Sequence, residues 1–196
     1  FGTADGCRLC ADIILVGEIR DTETAEIAMQ SGQTGHYVLS TIHTIDAIEV
    51  ITRLKKMGVS NYDIASTLAT SISQRLVRRL CKNCAREREF TTQELDFIHS
   101  IEERDGVKFD LKGKTTYDAV GCKKCNGVGY YDRIGLFEIL ILDDELRDLI
   151  SQGESTLKIK EQAMKSGYRP LIVDGIEKVL SGDTNFDELN RKLRIY

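Results

Sequence analysis

No run of apolar residues comes near the roughly 18–20 needed to cross a bilayer as a helix, so no segment reads as membrane-spanning. The first residues lack a charged n-region, an apolar h-region and an initiator Met. The expectation is therefore of no signal peptide here and of a piece cut from something larger. Excess positive charge is missing as well: 27 Lys and Arg stand against 31 Asp and Glu, a net charge of −4. The chain as a whole offers no attraction to phosphate backbones, and a nucleic-acid role would need a local basic patch. Internal repeats and low-complexity tracts are absent. What remains is 196 residues, 41% hydrophobic and 30% charged, a globular composition long enough for one domain or a core with a small satellite.

Cysteine is plentiful by contrast, in three CxxC pairs: Cys7/Cys10, Cys81/Cys84 and Cys122/Cys125. Nothing implies secretion, and disulfides do not persist in a reducing cytosol, so this spacing points to metal. A CxxC turn places two thiolates at two corners of a tetrahedral zinc site. Lys82, Lys123 and Lys124 lie inside the turns, where positive charge favours thiolate. The long stretch between Cys84 and Cys122 costs loop entropy only logarithmically. Cys81, Cys84, Cys122 and Cys125 are therefore read as a closed, structural zinc site. Cys7/Cys10 has no second pair beside it and reads as buried or terminal thiols, with a redox pair as the alternative.

Along the chain, residues 12–17 form a short apolar run expected to be a strand buried on both faces. Asp21 is the expected N-cap of a helix that Gly32 and Gly35 should stop. His36 to Thr41 reads as a second strand, completing a βαβ unit and implying a parallel sheet. Amphipathic helices are expected over 45–57 and 61–80, the latter from Ile64, Leu68, Ile72, Leu76 and Leu80 at intervals of four. Between Cys81 and Arg133 the composition turns short, charged and Gly-punctuated, with one helix near 92–104. Residues 134–140 read as a returning strand. Helices over 143–151, 156–166, 171–181 and 185–193 follow, the last capped by Thr184 and Asp187.

An apolar strand ending in Glu18 has the general form of a Walker B element, which presents a carboxylate where open α/β sheets bind ligands. Such a carboxylate can orient and deprotonate the water that attacks a γ-phosphate, or hold Mg²⁺ through water. His43 follows Ser40 and Thr41 at the corresponding edge of the second strand, whereas His36 starts that strand and reads as structural. His99 has no assigned role. The phosphate-cradling GxxxxGK[ST] loop does not occur; Gly113-Lys114-Thr115 has its tail but no upstream Gly or strand in place. Without that loop the chain should bind ATP poorly.

Two stretches taken together carry a resemblance: Val16-Gly17-Glu18-Ile19-Arg20-Asp21-Thr22-Glu23-Thr24-Ala25, and Thr34-Gly35-His36-Tyr37-Val38-Leu39-Ser40-Thr41-Ile42-His43-Thr44. They resemble the hexameric secretion ATPases of type II secretion and type IV pilus assembly. Gln74 to Cys84, Cys122 to Tyr130 and Arg133 to Leu140 continue it in order, the cysteines matching that family's tetracysteine subdomain, which pilus retraction ATPases lack.

The resemblance implies the C-terminal part of a RecA-like P-loop NTPase core (1–80), a tetracysteine zinc insert (81–133), and a return strand with a helical cluster (134–196). It implies an ATPase that assembles into a homo-hexamer and uses ATP and Mg²⁺. The enzyme would drive pilus or pseudopilus assembly with inner-membrane platform proteins, from the cytoplasmic face. It matches Glu18 to the Walker B carboxylate, places Gly35, His36 and His43 in a His box with His43 on the γ-phosphate, and aligns Arg8 with an arginine reaching a neighbouring subunit's nucleotide. Arg20 would pair with phosphate or a carboxylate. Ala4, where a second arginine belongs, and Cys10-Ala11-Asp12 depart from the family pattern, and the P-loop would lie upstream of Phe1.

The rival reading is a non-catalytic zinc module for a protein partner or nucleic acid, acting through Arg75, Arg78, Arg79, Lys82, Lys123 and Lys124. That cluster lacks interleaved aromatics for base stacking, so nucleic acid is not the expected partner.

Overall fold

The computed structural model describes residues 12–193. They divide into two compact units, one of residues 12–70 with Leu142–Lys160, the other of Ser71–Ile141 with 161–193.

In the first unit β1 (Ile13–Val16) pairs in parallel with β2 (Tyr37–Ser40), Ile13 opposite Tyr37 and Val16 opposite Ser40. The crossover is α1 (Thr22–Gln33), capped by Asp21, whose carboxylate accepts the Thr24 N–H at 2.8 Å. Gly35, at φ 94°, turns the chain into β2. Gly32 does not stop the helix but lies inside it: a Cβ there would collide with the Thr67 methyl, so this glycine permits close approach to α3 (Asn61–Thr67). α2 (Glu49–Lys56) and α5 (Asp144–Ser151) complete a core in which Ile51, Leu54, Ile64, Leu146 and Ile150 are buried. The Arg147 guanidinium ties α5 to the Ala65 carbonyl.

β1 is not buried on both faces. Ile14 and Val16 are half-buried while Ile13 and Leu15 point outward, Leu15 with 77% exposure. Among the described residues only β2 joins it, and no layer covers the outward face.

The largest departure from the sequence reading lies at 61–80. Helix α3 ends at Thr67, and Thr70–Leu80 is an extended strand, β3. A spacing of four keeps side chains on one face of a helix and equally on one face of a strand, so the periodicity could not discriminate. Ile72 and Leu76 end up exposed. β3 pairs with β6 (Tyr130–Ile141), which extends the expected return strand in both directions. The two run antiparallel: Cys81 N–H donates to Gly129 O at one end and Leu142 N–H to Ala69 O at the other.

The second unit adds β4 (Ala85–Arg88) antiparallel to β5 (Thr116–Ala119), and α4 (Thr92–Asp105), opened by a Thr91/Glu94 capping box. α7 (Leu171–Leu180) and α8 (Phe186–Leu193) close it, while α6 (Thr156–Lys165) carries the chain across the division. Val77, Ile98, Leu136, Ile176 and Leu189 share one buried cluster, with Phe90 and Phe97 packed edge-on against Phe186 at 6.2 and 6.3 Å. Asn185 caps α8, its side-chain oxygen accepting the Glu188 N–H at 3.2 Å; the Thr184 hydroxyl instead donates to Arg78 O.

Candidate functional site

Parallel pairing puts the C-terminal ends of β1 and β2 at one edge. Beyond the strands the chains stay zipped: Ile19 N–H donates to Thr41 O at 2.9 Å, and the Thr41 hydroxyl to Gly17 O at 2.8 Å. Glu18 is thereby held beside residues 41–43. Its Oε1 lies 2.6 Å from His43 Nε2, and its Oε2 accepts from both Arg20 Nε and Nη2 at 2.5 Å. The Glu18 side chain keeps 20% of its surface exposed and that of His43 keeps 88%. The carboxylate is sheltered behind two mobile-length partners that both face solvent. Beside them is a cleft of about 300 Å³ lined by His43, Thr44, Ile45, Glu49, Arg53 and Lys56. Arg53 and Lys56 were not singled out from the sequence; their spacing of three near the end of α2 was the available signal.

Gly35 and His36 sit at the other end of β2. His36 Nδ1 lies 3.1 Å from Ser31 O and 3.2 Å from Thr34 Oγ1, which fastens it to the end of α1. Arg8, Cys7 and Cys10 fall outside the described residues. Gly113-Lys114-Thr115 lies in the connection between α4 and β5, with the Thr115 hydroxyl on Glu87.

The second unit brings four cysteines together. Cys81 directly follows β3, Cys84 precedes β4, Cys122 caps a 3-10 turn (Lys123–Cys125) and Cys125 ends it. All four sulfurs lie within 4.8 Å of one another, at 3.9 Å for Cys81–Cys122 and 3.7 Å for both Cys84–Cys125 and Cys122–Cys125. The edge of a ZnS₄ tetrahedron is about 1.63 times a Zn–S distance of about 2.3 Å, roughly 3.8 Å. A disulfide would need about 2.05 Å. The donor set and its size fit a tetrahedral thiophilic metal.

Backbone packing shapes these loops. A Cβ at Gly121 would strike the Gly127 carbonyl, and one at Gly129 would strike Ala119 at 2.7 Å. The N–H groups of Cys122 and Gly129 reach Cys125 Sγ at 3.1 and 3.2 Å. Burial alone would raise the Cys125 thiol, but these donors hold it down at about 6. Burial pushes Cys84 up to about 12. The lowering at Cys125 comes first from these backbone donors and then from the Cys122 and Cys84 thiols, not from the neighbouring lysines.

The basic cluster is partly neutralised. Arg78 donates its backbone N–H and its guanidinium to the buried Glu188, at 2.9 Å and 2.7–2.8 Å, and stacks 3.9 Å over Tyr130. Arg79 pairs with Asp183 at 2.7 Å. Neither is a cation held in reserve for a phosphate backbone.

With this geometry in hand, similarity decides the family. A model described as "Type II/IV secretion system protein" matches residues 7–191. The chain belongs to that family. It is 42% identical over 178 residues to the type IV pilus assembly ATPase PilB of Thermus thermophilus, covering 91% of this chain and 19% of that protein. It is 40% identical over 183 residues to the type II secretion system protein HxcR of Pseudomonas aeruginosa, covering 93% and 34%. This secretion-family chain therefore spans about a fifth to a third of such relatives. In fold it is similar to the X-ray structure of the Yersinia pseudotuberculosis ATPase DotB, with a TM-score of 0.60 and 18% identity over 96% of this chain and 38% of that one.

Proposed function

We propose that this chain is the C-terminal part of the catalytic region of an ATPase that couples ATP hydrolysis to assembly of a type IV pilus or a type II secretion pseudopilus. The observation that carries the reading is the meeting of Glu18 and His43 at the shared C-terminal edge of β1 and β2, in a chain of this family. Glu18 orients and deprotonates the attacking water, and a carboxylate already in contact with an imidazole is well placed to pass a proton on. His43 contacts the γ-phosphate, and Arg20 balances charge at Glu18 until phosphate is present. Arg8 would reach nucleotide across a subunit boundary, which requires the homo-hexamer. Gly35 and His36 frame the strand that delivers His43. Mg²⁺ would be held through water at Glu18.

The four cysteines would hold a structural zinc that supplies folding free energy to their loops. All four positions of the metal are protein ligands, so it takes no part in hydrolysis. No described helix is long and apolar enough to cross a membrane. Work at the inner face of the cell membrane, with platform proteins as partners, belongs to this reading through the family and not through the absence of such a helix.

ATP turnover tests the reading. The purified 196 residues, lacking a GxxxxGK[ST] loop, should show none. In a longer product of the gene that carries such a loop, Glu18→Gln should cost about 10²–10⁴-fold in turnover while ATP binding persists. Turnover by the 196 residues alone, or an unaffected Glu18→Gln variant, would overturn it.

A further inference from the structure

The tetracysteine loops carry an exposed surface that neither hydrolysis nor metal binding uses. Residues 119–121 run back alongside 127–129, since Gly121 abuts Gly127 and Gly129 abuts Ala119. Val120 and Val128 therefore stand opposite one another across the ribbon. They remain 49% and 54% exposed, and Tyr131, just beyond, is 58% exposed. Exposed valines opposite each other add nothing to the core and nothing to the metal shell.

Within the loops themselves charge is of one sign. No carboxylate occurs from Ala119 to Tyr131 or from Cys81 to Arg86, while Lys82, Arg86, Lys123 and Lys124 do occur there. The Lys124 ammonium sits 6.0 Å over the Tyr131 ring. Of the flanking acids Asp118 pairs with Arg88, while Glu87 and Asp132 keep their charge just outside these stretches, accepting only from the Thr115 hydroxyl and the Arg133 N–H.

We infer that this metal-loop surface docks on an anionic lipid surface, Val120, Val128 and Tyr131 entering the headgroup boundary while Lys82, Lys123 and Lys124 meet lipid phosphates. Small exposed apolar groups in the same loops as exposed lysines, with an aromatic ring beneath one of those lysines, match the chemistry of an interface that is apolar below and negative above. A purely electrostatic partner would give the exposed valines no role. The inference is independent of ATP hydrolysis but rests on metal-closed loops, so protein of verified zinc content is used.

Co-sedimentation with phosphatidylglycerol and with phosphatidylcholine vesicles tests it. Binding is expected to the anionic vesicles only and to weaken with salt. Lys123→Gln and Lys124→Gln should each cost roughly fivefold. Val128→Ser should weaken binding to the anionic vesicles at constant charge. Lys112→Gln, an exposed lysine elsewhere in the same unit, should change nothing. Zinc content and far-UV circular dichroism of each variant separate lost docking from lost folding. No binding to either vesicle, equal binding to both, or indifference to Lys123, Lys124 and Val128 would overturn the proposal. Salt-sensitive binding to a polyglutamate peptide without vesicle binding would also overturn it, in favour of an acidic protein partner.

Discussion

The tetracysteine loops and the Glu18 edge are built to different degrees of completeness. The cysteine site draws its four ligands from two loops of one unit, its sulfurs already spaced for a tetrahedron, with Cys81 and Cys125 buried. Glu18 instead faces partners that stand largely in solvent, at the edge of a two-stranded sheet whose outward apolar side chains are bare. Parallel sheets ordinarily have both faces covered. The contrast separates a site that local chain finishes from one that needs further surfaces, as expected if the proposed enzyme is longer than this chain. Exposed ion pairs contribute little in water, so the Glu18 contacts are easily exchanged for a phosphate.

The largest expected effect falls on the finished site. Metal analysis should return about one zinc per chain, and Cys122→Ser should abolish it. Structural zinc is worth about 10–16 kcal/mol to isolated zinc-finger peptides, so amide exchange should rise sharply over residues 81–131. The amides of α1 and β2 should keep their protection. Uniform loss of protection in both units would break the contrast; an unchanged exchange pattern would mean that side-chain packing alone closes the loops.

How much of this was legible follows from which interactions are local. The Asp21 cap, α4 and the four C-terminal helices are set by caps and periodicity within a few residues, the βαβ unit by two short apolar runs either side of one helix, and their bounds fall close to the sequence reading. The cysteine cluster was legible because metal chemistry restricts ligand type and spacing. Glu18 and His43 were legible as neighbours because parallel strands share their C-terminal edge. β3 was not, because a spacing of four is common to helix and strand, and the deciding partner, β6, lies some fifty residues away in sequence. The partners of Arg78 and Arg79 lie 110 and 104 positions distant, so a real acid-paired network looked like a bare basic patch. Gly32 was taken for a stop because its crowding neighbour, Thr67, belongs to another helix.

A matched pair of truncations probes coverage directly. Leu136, fully buried in the second unit's cluster, should lose about 2–5 kcal/mol of unfolding free energy on Leu136→Ala. Leu15→Ala, on the bare face of β1, should stay within about 0.5 kcal/mol. Urea denaturation of both variants gives the comparison. If Leu15→Ala costs as much as Leu136→Ala, the outward face of β1 is covered in solution and Glu18 stands at a finished site after all.

Acid sharpens the same contrast through Glu188. Burial by itself would raise this carboxyl, but hydrogen bonds and charge from Arg191 and Arg78 hold it down at about 2. Its oxygens receive Arg191 at 2.7 and 2.5 Å and Arg78 at 2.8 and 2.7 Å. A carboxyl whose folded pKa lies below its unfolded value of about 4.5 binds fewer protons when folded. Its stabilisation is therefore complete above that unfolded value and is lost as pH falls from there towards 2. The amount is about 2–3 kcal/mol once screening at the half-exposed guanidinium groups is allowed for. In the first unit the carboxyls held low, Asp21 and Asp63, are held by backbone N–H, hydroxyl and amide donors and have no arginine network like that of Glu188. Urea midpoints at pH 6 and pH 3, read by amide protection in each unit, should fall further for α8 than for α1. Glu188→Gln should flatten that pH dependence while lowering stability at pH 6; an equal acid response in both units would show that Glu188 does not set it.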